Sequence, residues 1–306
     1  MREFDLIRRI TKANPSLPNA VLIPPGDDMA MLRCEEGRLL AAVDQVIDQV
    51  HFDLGRHPVE LIGRKAVTRN LSDVAAMAAL PVVTLCAANL PRTMPADQAE
   101  RLLVAVAQTA SSFGCPLIGG DTATHDGPLA LSVTILARPG GIEPVRRSGS
   151  AVGDAIYVTG ELGGSLYSDP PHHLTFEPRL ELARGLAADP TTRPNAMVDL
   201  SDGLGRDLDH LLNGLGALID TSDLPVSAAA RQAERKDGHP AWLHAMSDGE
   251  DYELLFTAPP EHNYPPEIDG VRITRVGTVI AEPGAITVID GGEQVSIDGL
   301  GWEHQG

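Results

Sequence analysis

The sequence predicts an α+β protein of two mixed domains, residues 1–138 and 139–306. Three observations lead there. The chain has 306 residues, 43% of them hydrophobic, which suits two cores better than one. Short apolar runs of strand length alternate with helically spaced ones in both halves. Between the halves, "RPGGIEPVRRSGSAVGD" is rich in Gly, Pro and Arg and reads as a connector.

The elements follow in order. "FDLIRRI" has the apolar spacing of a short amphipathic N-terminal helix. "MAMLRC" and "LLAAVD", joined by "EEGR", read as a hairpin. "HPVELIGRKAVTRNLSDVAAMAAL" is a helix with Pro58 in its first turn, open to interruption at "NLSD". "VVTLCAANL" is a continuous apolar strand. "PADQAERLLVAVAQTASSFG" is a helix with Pro95 near its start and Gly114 at its end. "PLIGGDT" and "LALSVTILAR" are strands. The second half offers strand "AIYVTG", helix "PRLELARGLAA", strand "AMVDL", helix "GLGRDLDHLLNGL" and strand "ALIDT". A mostly helical stretch, two more strands ("YELLFTA", "VRITRVGTVI") and a terminal hairpin turning at "GGEQ" complete it.

Composition excludes several classes of function. With 42 acidic against 24 basic residues the net charge is −18, which disfavours nucleic acid and anionic membranes as partners. Cys34, Cys86 and Cys115 form no C-x-x-C, so neither a disulfide framework nor a thiolate zinc site is expected. No apolar run reaches spanning length, and "MREFDLIRRI" lacks the apolar stretch of a secretion signal; the expected compartment is the cytoplasm. P-loop, dinucleotide-fingerprint and G-x-S-x-G motifs are absent.

What remains is a series of acidic clusters: "GDD" (26–28), "DQVIDQVHF" (44–52), "NLSD" (70–73), "GGDT" (119–122), "DLSDGL" (199–204) and "DGEDYELLF" (248–256). They are expected where strands end or helices begin, the usual place for ligand sites in mixed folds. Singly, each Asp reads better as a cap or turn residue: Asp73 and Asp202 as helix caps, Asp27 and Asp28 as turn residues. Asp207 and Asp209 read as a solvated helix face or as partners of the helix dipole. Together, so many carboxylates beside glycines with few cations make a poor structural arrangement and a good cage for Mg²⁺ and the phosphates it carries.

In this order "NLSDVAAM", "IGGDT", "DLSDGL" and "GEDYEL" resemble the thiamine-monophosphate kinase family, within the superfamily of aminoimidazole-ribonucleotide synthetase. The resemblance runs from near the start of the chain almost to its end. It implies a PurM-like fold: an N-terminal domain that binds ATP and Mg²⁺ and pairs its sheet across a homodimer, and a C-terminal α/β sandwich completing the cleft. It implies Mg²⁺-dependent transfer of the ATP γ-phosphate to thiamine monophosphate. By motif, Asp28, Asp44, Asp73, Asp121, Asp199 and Asp202 would bind Mg²⁺, with Asp73, Asp121 and Asp202 central to catalysis. Gly120, Asp121, Arg147 and Ser201 would lie at ATP, and His51 and Glu250 would face the thiamine phosphate. The alternatives are a related enzyme acting on another small acceptor and a non-catalytic nucleotide-binding homologue.

The sequence departs from the family pattern in places. Ala42 and Val43 stand where hydroxyl residues usually precede Asp44, and Gln49 replaces a glycine. Gly299 aligns with an aromatic expected to stack on thiamine, with Trp302 nearby. "GELGGSLYSDPPHHL" is shorter than the family's glycine-rich helix start.

Overall fold

The alternation in the first half folds as one mixed sheet. In the computed structural model, which describes residue 19 and residues 21–23, 27–34 and 37–295, strands β1 (Val21–Ile23), β2 (Ala30–Cys34) and β3 (Gly37–Ile47) precede helix α1 (Val59–Ala76). Strand β4 (Leu80–Pro91), helix α2 (Ala96–Ser112), β5 (Leu117–His125) and β6 (Ala130–Arg138) complete the half. The strand order is β1-β2-β3-β6-β4-β5, with β5 at the edge, parallel to β4. The expected hairpin is β2–β3. The expected N-terminal helix lies outside the described residues, as do Gly299 and Trp302.

Both helices of this half pack on one face of the sheet. Leu40, Val46, Leu131, Val133, Ile135, Cys86 and Ala88 point into that core. The opposite face carries Ala41, Val43, Val83, Leu85, Thr134 and Leu136 in register. Val43 is 61% exposed, and no helix among the described residues covers this face.

The second half comprises β7 (Ala155–Thr159), α3 (His172–Thr175), α4 (Leu180–Ala188), β8 (Ala196–Asp199), α5 (Leu204–Leu212), β9 (Gly216–Asp220), α6 (Ala228–Asp237) and α7 (Ala241–Ser247). Then come β10 (Leu254–Ala258), β11 (Glu267–Ile268), β12 (Val271–Ile280), β13 (Ile286–Asp290) and β14 (Glu293–Val295). The sheet runs β14-β13-β9-β12-β7-β10-β8, with β11 beside β12. Its centre is buried on both faces, which is why "AIYVT" and "LLFTA" read as unbroken apolar runs. Tyr157, Met197 and Phe256 join the core around α1, whereas Ile156, Val158, Val198 and Leu255 join a second core under α5, α6 and α7. Helix α1 is therefore buried from both halves, and it carries site residues into the seam. No described helix is long and apolar enough to cross a membrane.

Three expectations are corrected. Helix α1 runs unbroken through "NLSD": Asn70 donates to the Ala66 carbonyl rather than turning the chain, and Leu71 and Val74 are fully buried. Asp73 lies in the last turn of α1, and Asp44 and Asp121 lie inside strands, not at element ends. Asp207 is buried, so it is not on a solvated face, and it lies in the first turn of α5 as a dipole partner would; Asp209 is exposed.

Candidate active site

The site is assembled where α1 meets both sheets. Asp28 precedes β2, Asp73 lies in the last turn of α1, and Asp199 ends β8; one carboxylate oxygen of each lies within 4.8 Å of the other two. None of the three is a helix cap. Asp44 projects from β3 onto α1, where Arg69 Nε lies 3.3 Å from its carboxylate. Asp28, Asp44, Asp73, Asp199, Ser201 and Asp202 line one cavity of about 250 Å³, together with Arg147, Arg69 and Tyr252. Ala42 and Val43 line it too, so at those positions only the backbone offers oxygen.

This concentration of charge is visible in the acidities. Burial and neighbouring Asp44, Asp199 and Asp28 hold the Asp73 carboxyl well above the usual range. Burial, then Asp28, push Asp199 up to about 7. Burial and Asp28 raise Asp27 to about 6. Arg147 is the main counter-charge: Nη2 and Nε donate to the two oxygens of Asp28 at 2.7 and 3.0 Å, a bidentate pair.

The loop Ser201–Gly203 is clasped to the loop before β10. Glu250 N–H donates to the Ser201 carbonyl and Tyr252 N–H to that of Leu200, both at 2.8 Å. Gly249 makes the approach possible: a Cβ there would lie 2.9 Å from the Ser201 carbonyl oxygen, and its φ is +73°. Asp202 does not cap α5, whose N-cap is Gly203. Instead its N–H donates to the buried Asp207 carboxylate at 3.0 Å, which fixes the turn.

A second group forms beside the cage. Lys65, wholly buried on α1, donates to both oxygens of Glu250 (2.8 and 2.7 Å) and to the His51 carbonyl (2.7 Å), and lies 2.8 Å from His173 Nδ1. Burial alone would raise the Glu250 carboxyl, but Lys65 and His173 outweigh it and hold it at about 2. His51 lies in a tight turn, not a strand, and its Nδ1 accepts from the Ile47 N–H. Gln49 in that turn has φ 65°, the left-handed conformation a glycine adopts freely.

Gly120 and Asp121 are not brought to this cage. Across the ladder Asp44 pairs with Val133, Val133 with Cys86, and Cys86 with Gly120. Three steps of about 4.8 Å put Gly120 roughly 14 Å from Asp44. Asp121 stands in register with Ala87, Ser132 and Gln45, on the uncovered face opposite Asp44.

Lys65, His173, Arg69 and Tyr252 were not singled out from sequence. Lys65 carried a signal: it sits three residues after Ile62 and four after Leu61, on the apolar face of its helix.

The carboxylate cluster at the seam of the two mixed halves presents hard oxygen donors, the set that suits a divalent cation. The sequence model for the AIR synthase related protein N-terminal domain matches residues 26–138. Thiamine-monophosphate kinase of Rhodopirellula baltica is 40% identical over 81% of this chain and 77% of its own length. The enzyme of Mycobacterium tuberculosis is 30% identical over 99% and 92%. Among solved structures, one described as "AaThiL complexed with AMPPCP and TMP" superposes with a TM-score of 0.82 at 29% identity, covering 99% of this chain and 97% of that one. Escherichia coli HypE shares the fold at 18% identity (TM-score 0.69, 96% and 97% covered). The chain belongs to the thiamine-monophosphate kinase family.

Proposed function

We propose that the protein transfers the γ-phosphate of ATP to thiamine monophosphate, giving thiamine diphosphate and ADP by direct in-line displacement. The observation that carries this reading is the convergence of Asp28, Asp73 and Asp199 within 4.8 Å, beside a recess holding His51 and Glu250.

The donor set fits Mg²⁺: hard carboxylate oxygens, buried, and pushed to high proton affinity by one another. Bound there, Mg²⁺ supplies the positive charge that lets two polyanions approach. Asp28, Asp73 and Asp199 would hold it, with Asp44 and Asp202 on the same cavity wall. The acceptor oxygen of a phosphate monoester is already anionic, so no side chain has to remove a proton from it. The work of the chain is alignment and exclusion of water. Arg147, held by Asp28 through Nε and Nη2, places its positive charge in the same cavity as Ser201, where it would favour ATP phosphate oxygens.

The dimer belongs to this proposal. The uncovered face around Val43, Leu85 and Leu136 is an apolar surface that a second copy can bury. Asp121, on that face, and Gly120 next to it on the edge strand would serve the ATP site of the second copy rather than their own. The expected compartment is the cytoplasm, where ATP is made and used.

Thermal melts test the binding order. ATP with Mg²⁺ should raise Tm, and thiamine monophosphate should raise it further. No shift with thiamine monophosphate at any concentration contradicts the acceptor assignment.

A further inference from the structure

The cage carboxylates are braced from outside the cage. Both oxygens of Asp28 accept from Arg147, the Asp44 carboxylate lies 3.3 Å from Arg69 Nε, and Asp199 accepts from the Ser72 hydroxyl. Asp202 stands in the short connection between β8 and α5, so its position depends on what holds that connection.

Both ends of the connection are tied down. On the strand side, Leu200 N–H donates to the Glu253 carbonyl at 2.8 Å, in addition to the bonds that Leu200 and Ser201 accept from Tyr252 and Glu250. On the helix side, the Gly203 carbonyl accepts from Arg206 and Asp207 N–H, each at 3.0 Å. Gly203 has φ +100°, and a Cβ there would lie 3.0 Å from the Met246 carbonyl oxygen, so the chain follows a path that another residue would strain. Between these ends, Asp202 N–H donates to Asp207 Oδ2 at 3.0 Å. Asp207 reaches it from the first turn of α5, where the helix dipole favours a carboxylate. Asp207 is only 3% exposed, and it lines the same cavity as Asp202. This buried carboxyl is the member of "DLSDGLGRDLDH" that the proposed reaction leaves without a role.

We infer that Asp207 is a positioning residue for the metal: by accepting the Asp202 N–H it fixes the turn that carries the Asp202 carboxylate, and so sets how tightly the cage takes a divalent cation. This rests on the metal part of the proposed function and not on the identity of the acceptor. A ligand on a loose turn has to be ordered when the ion binds, which weakens binding; a ligand on an anchored turn has already been ordered by folding. Asp207 acts through its oxygen on a backbone N–H, and the ion is held by others.

Calorimetric titration with Mg²⁺ alone, at pH 8, tests this on the parent and on Asp207→Asn, Asp207→Ala and Asp207→Val. Asparagine keeps an oxygen for the Asp202 N–H but not the charge. Alanine and valine keep neither, and one is smaller than aspartate and the other larger, so a packing defect is not shared by both. The Kd for Mg²⁺ should rise about tenfold or more in the alanine and valine variants and stay within about threefold of the parent in Asp207→Asn. Unchanged Kd in the acceptor-free variants overturns the inference. An asparagine variant as weak as the other two also overturns it, because the charge of Asp207 then matters and not its hold on the turn. If neither acceptor-free variant folds, Asp207 is structural and the inference falls. A parent that binds Mg²⁺ but makes no thiamine diphosphate removes the acceptor reading, and the same Kd comparison still decides the role of Asp207. A parent that takes up no Mg²⁺ removes both.

Discussion

Lys65 and Glu250 form a buried ion pair across the two halves of the chain, the ammonium within 2.8 Å of both carboxylate oxygens. Lys65 is wholly buried and Glu250 partly so, its side chain 18% exposed. Removing one partner leaves the other charge stranded in the core. Lys65→Met should cost about 3–5 kcal/mol of stability, and Lys65→Met with Glu250→Gln should recover most of it. Urea denaturation of Lys65→Met and of the double variant measures this; a Lys65→Met protein as stable as the parent contradicts the pairing.

The raised carboxyls predict an unusual pH dependence. Asp27, Asp199 and Asp251 are pushed from an ordinary value near 3.8 to about 6, 7 and 8, with burial the first cause in each. Each holds its proton more tightly folded than unfolded. Their contribution to stability is complete below about pH 4 and is lost as pH rises through 6 to 8. Glu250 has the opposite sign, but its loss falls between 4.5 and about 2, outside that window. Burial holds His57, His173 and His210 below 6.5, and they act the other way up to about pH 6.5; without divalent metal Tm should therefore fall from pH 6.5 to pH 8, and Mg²⁺ should restore more of it at pH 8 than at pH 6.5. A metal effect that is independent of pH contradicts the cage.

Asp73→Asn and Asp199→Asn should separate function from stability. Each removes a mutually repelling carboxylate, so the metal-free protein should melt at or above the parent temperature. Turnover should fall by at least about a thousandfold, since the variants lose a metal ligand. Calorimetry and a coupled ADP assay read the two effects. An active Asp73→Asn would take that residue out of the cage.

The placement of Asp121 on the uncovered face can be tested by subunit mixing. Asp73→Asn and Asp121→Asn should each be inactive. A refolded equimolar mixture should regain about a quarter of parent activity, because half the dimers contain one intact site. A mixture that stays inactive places both residues in a site made by one chain. Val43→Arg, on the same face, should yield monomers by sedimentation.

Gln49 holds a left-handed backbone, φ 65°, where the family pattern has glycine. Gln49→Gly should leave stability unchanged or raise it by up to about 1 kcal/mol, the relief of strain outweighing the greater freedom of the unfolded chain. Denaturation midpoints decide it; a loss above that size means that the Gln49 bond to Asp48, at 3.2 Å, matters more than the backbone.

Much of the fold was legible in the sequence because its strands and helices carry clean periodicity. Both long helices and the succession of strands and helices along each half follow from apolar spacing, and the hairpin β2–β3 from that spacing with its turn; the order of strands within each sheet does not. The cage was legible as a set of acidic motifs, but not its geometry. Asp73 reads locally as a cap and lies in a continuous helix, because Leu71 and Val74 are both buried and tertiary packing overrides the turn chemistry of "NLSD". The solvated reading of Asp207 fails because the sequence does not reveal that the Asp202 N–H turns back onto it. Asp121 looks like a cage member in the motif order; only the pairing register puts it on the opposite face. Lys65 was hidden because a lysine among apolar residues is ordinarily a surface residue whose stem snorkels outward.

The central claim is tested most directly by incubating the purified protein with thiamine monophosphate, ATP and Mg²⁺ and counting thiamine diphosphate and ADP together. The account predicts that the two products rise one for one and that EDTA stops both. ADP formed without thiamine diphosphate, or neither product while ATP and Mg²⁺ still raise Tm, would contradict it.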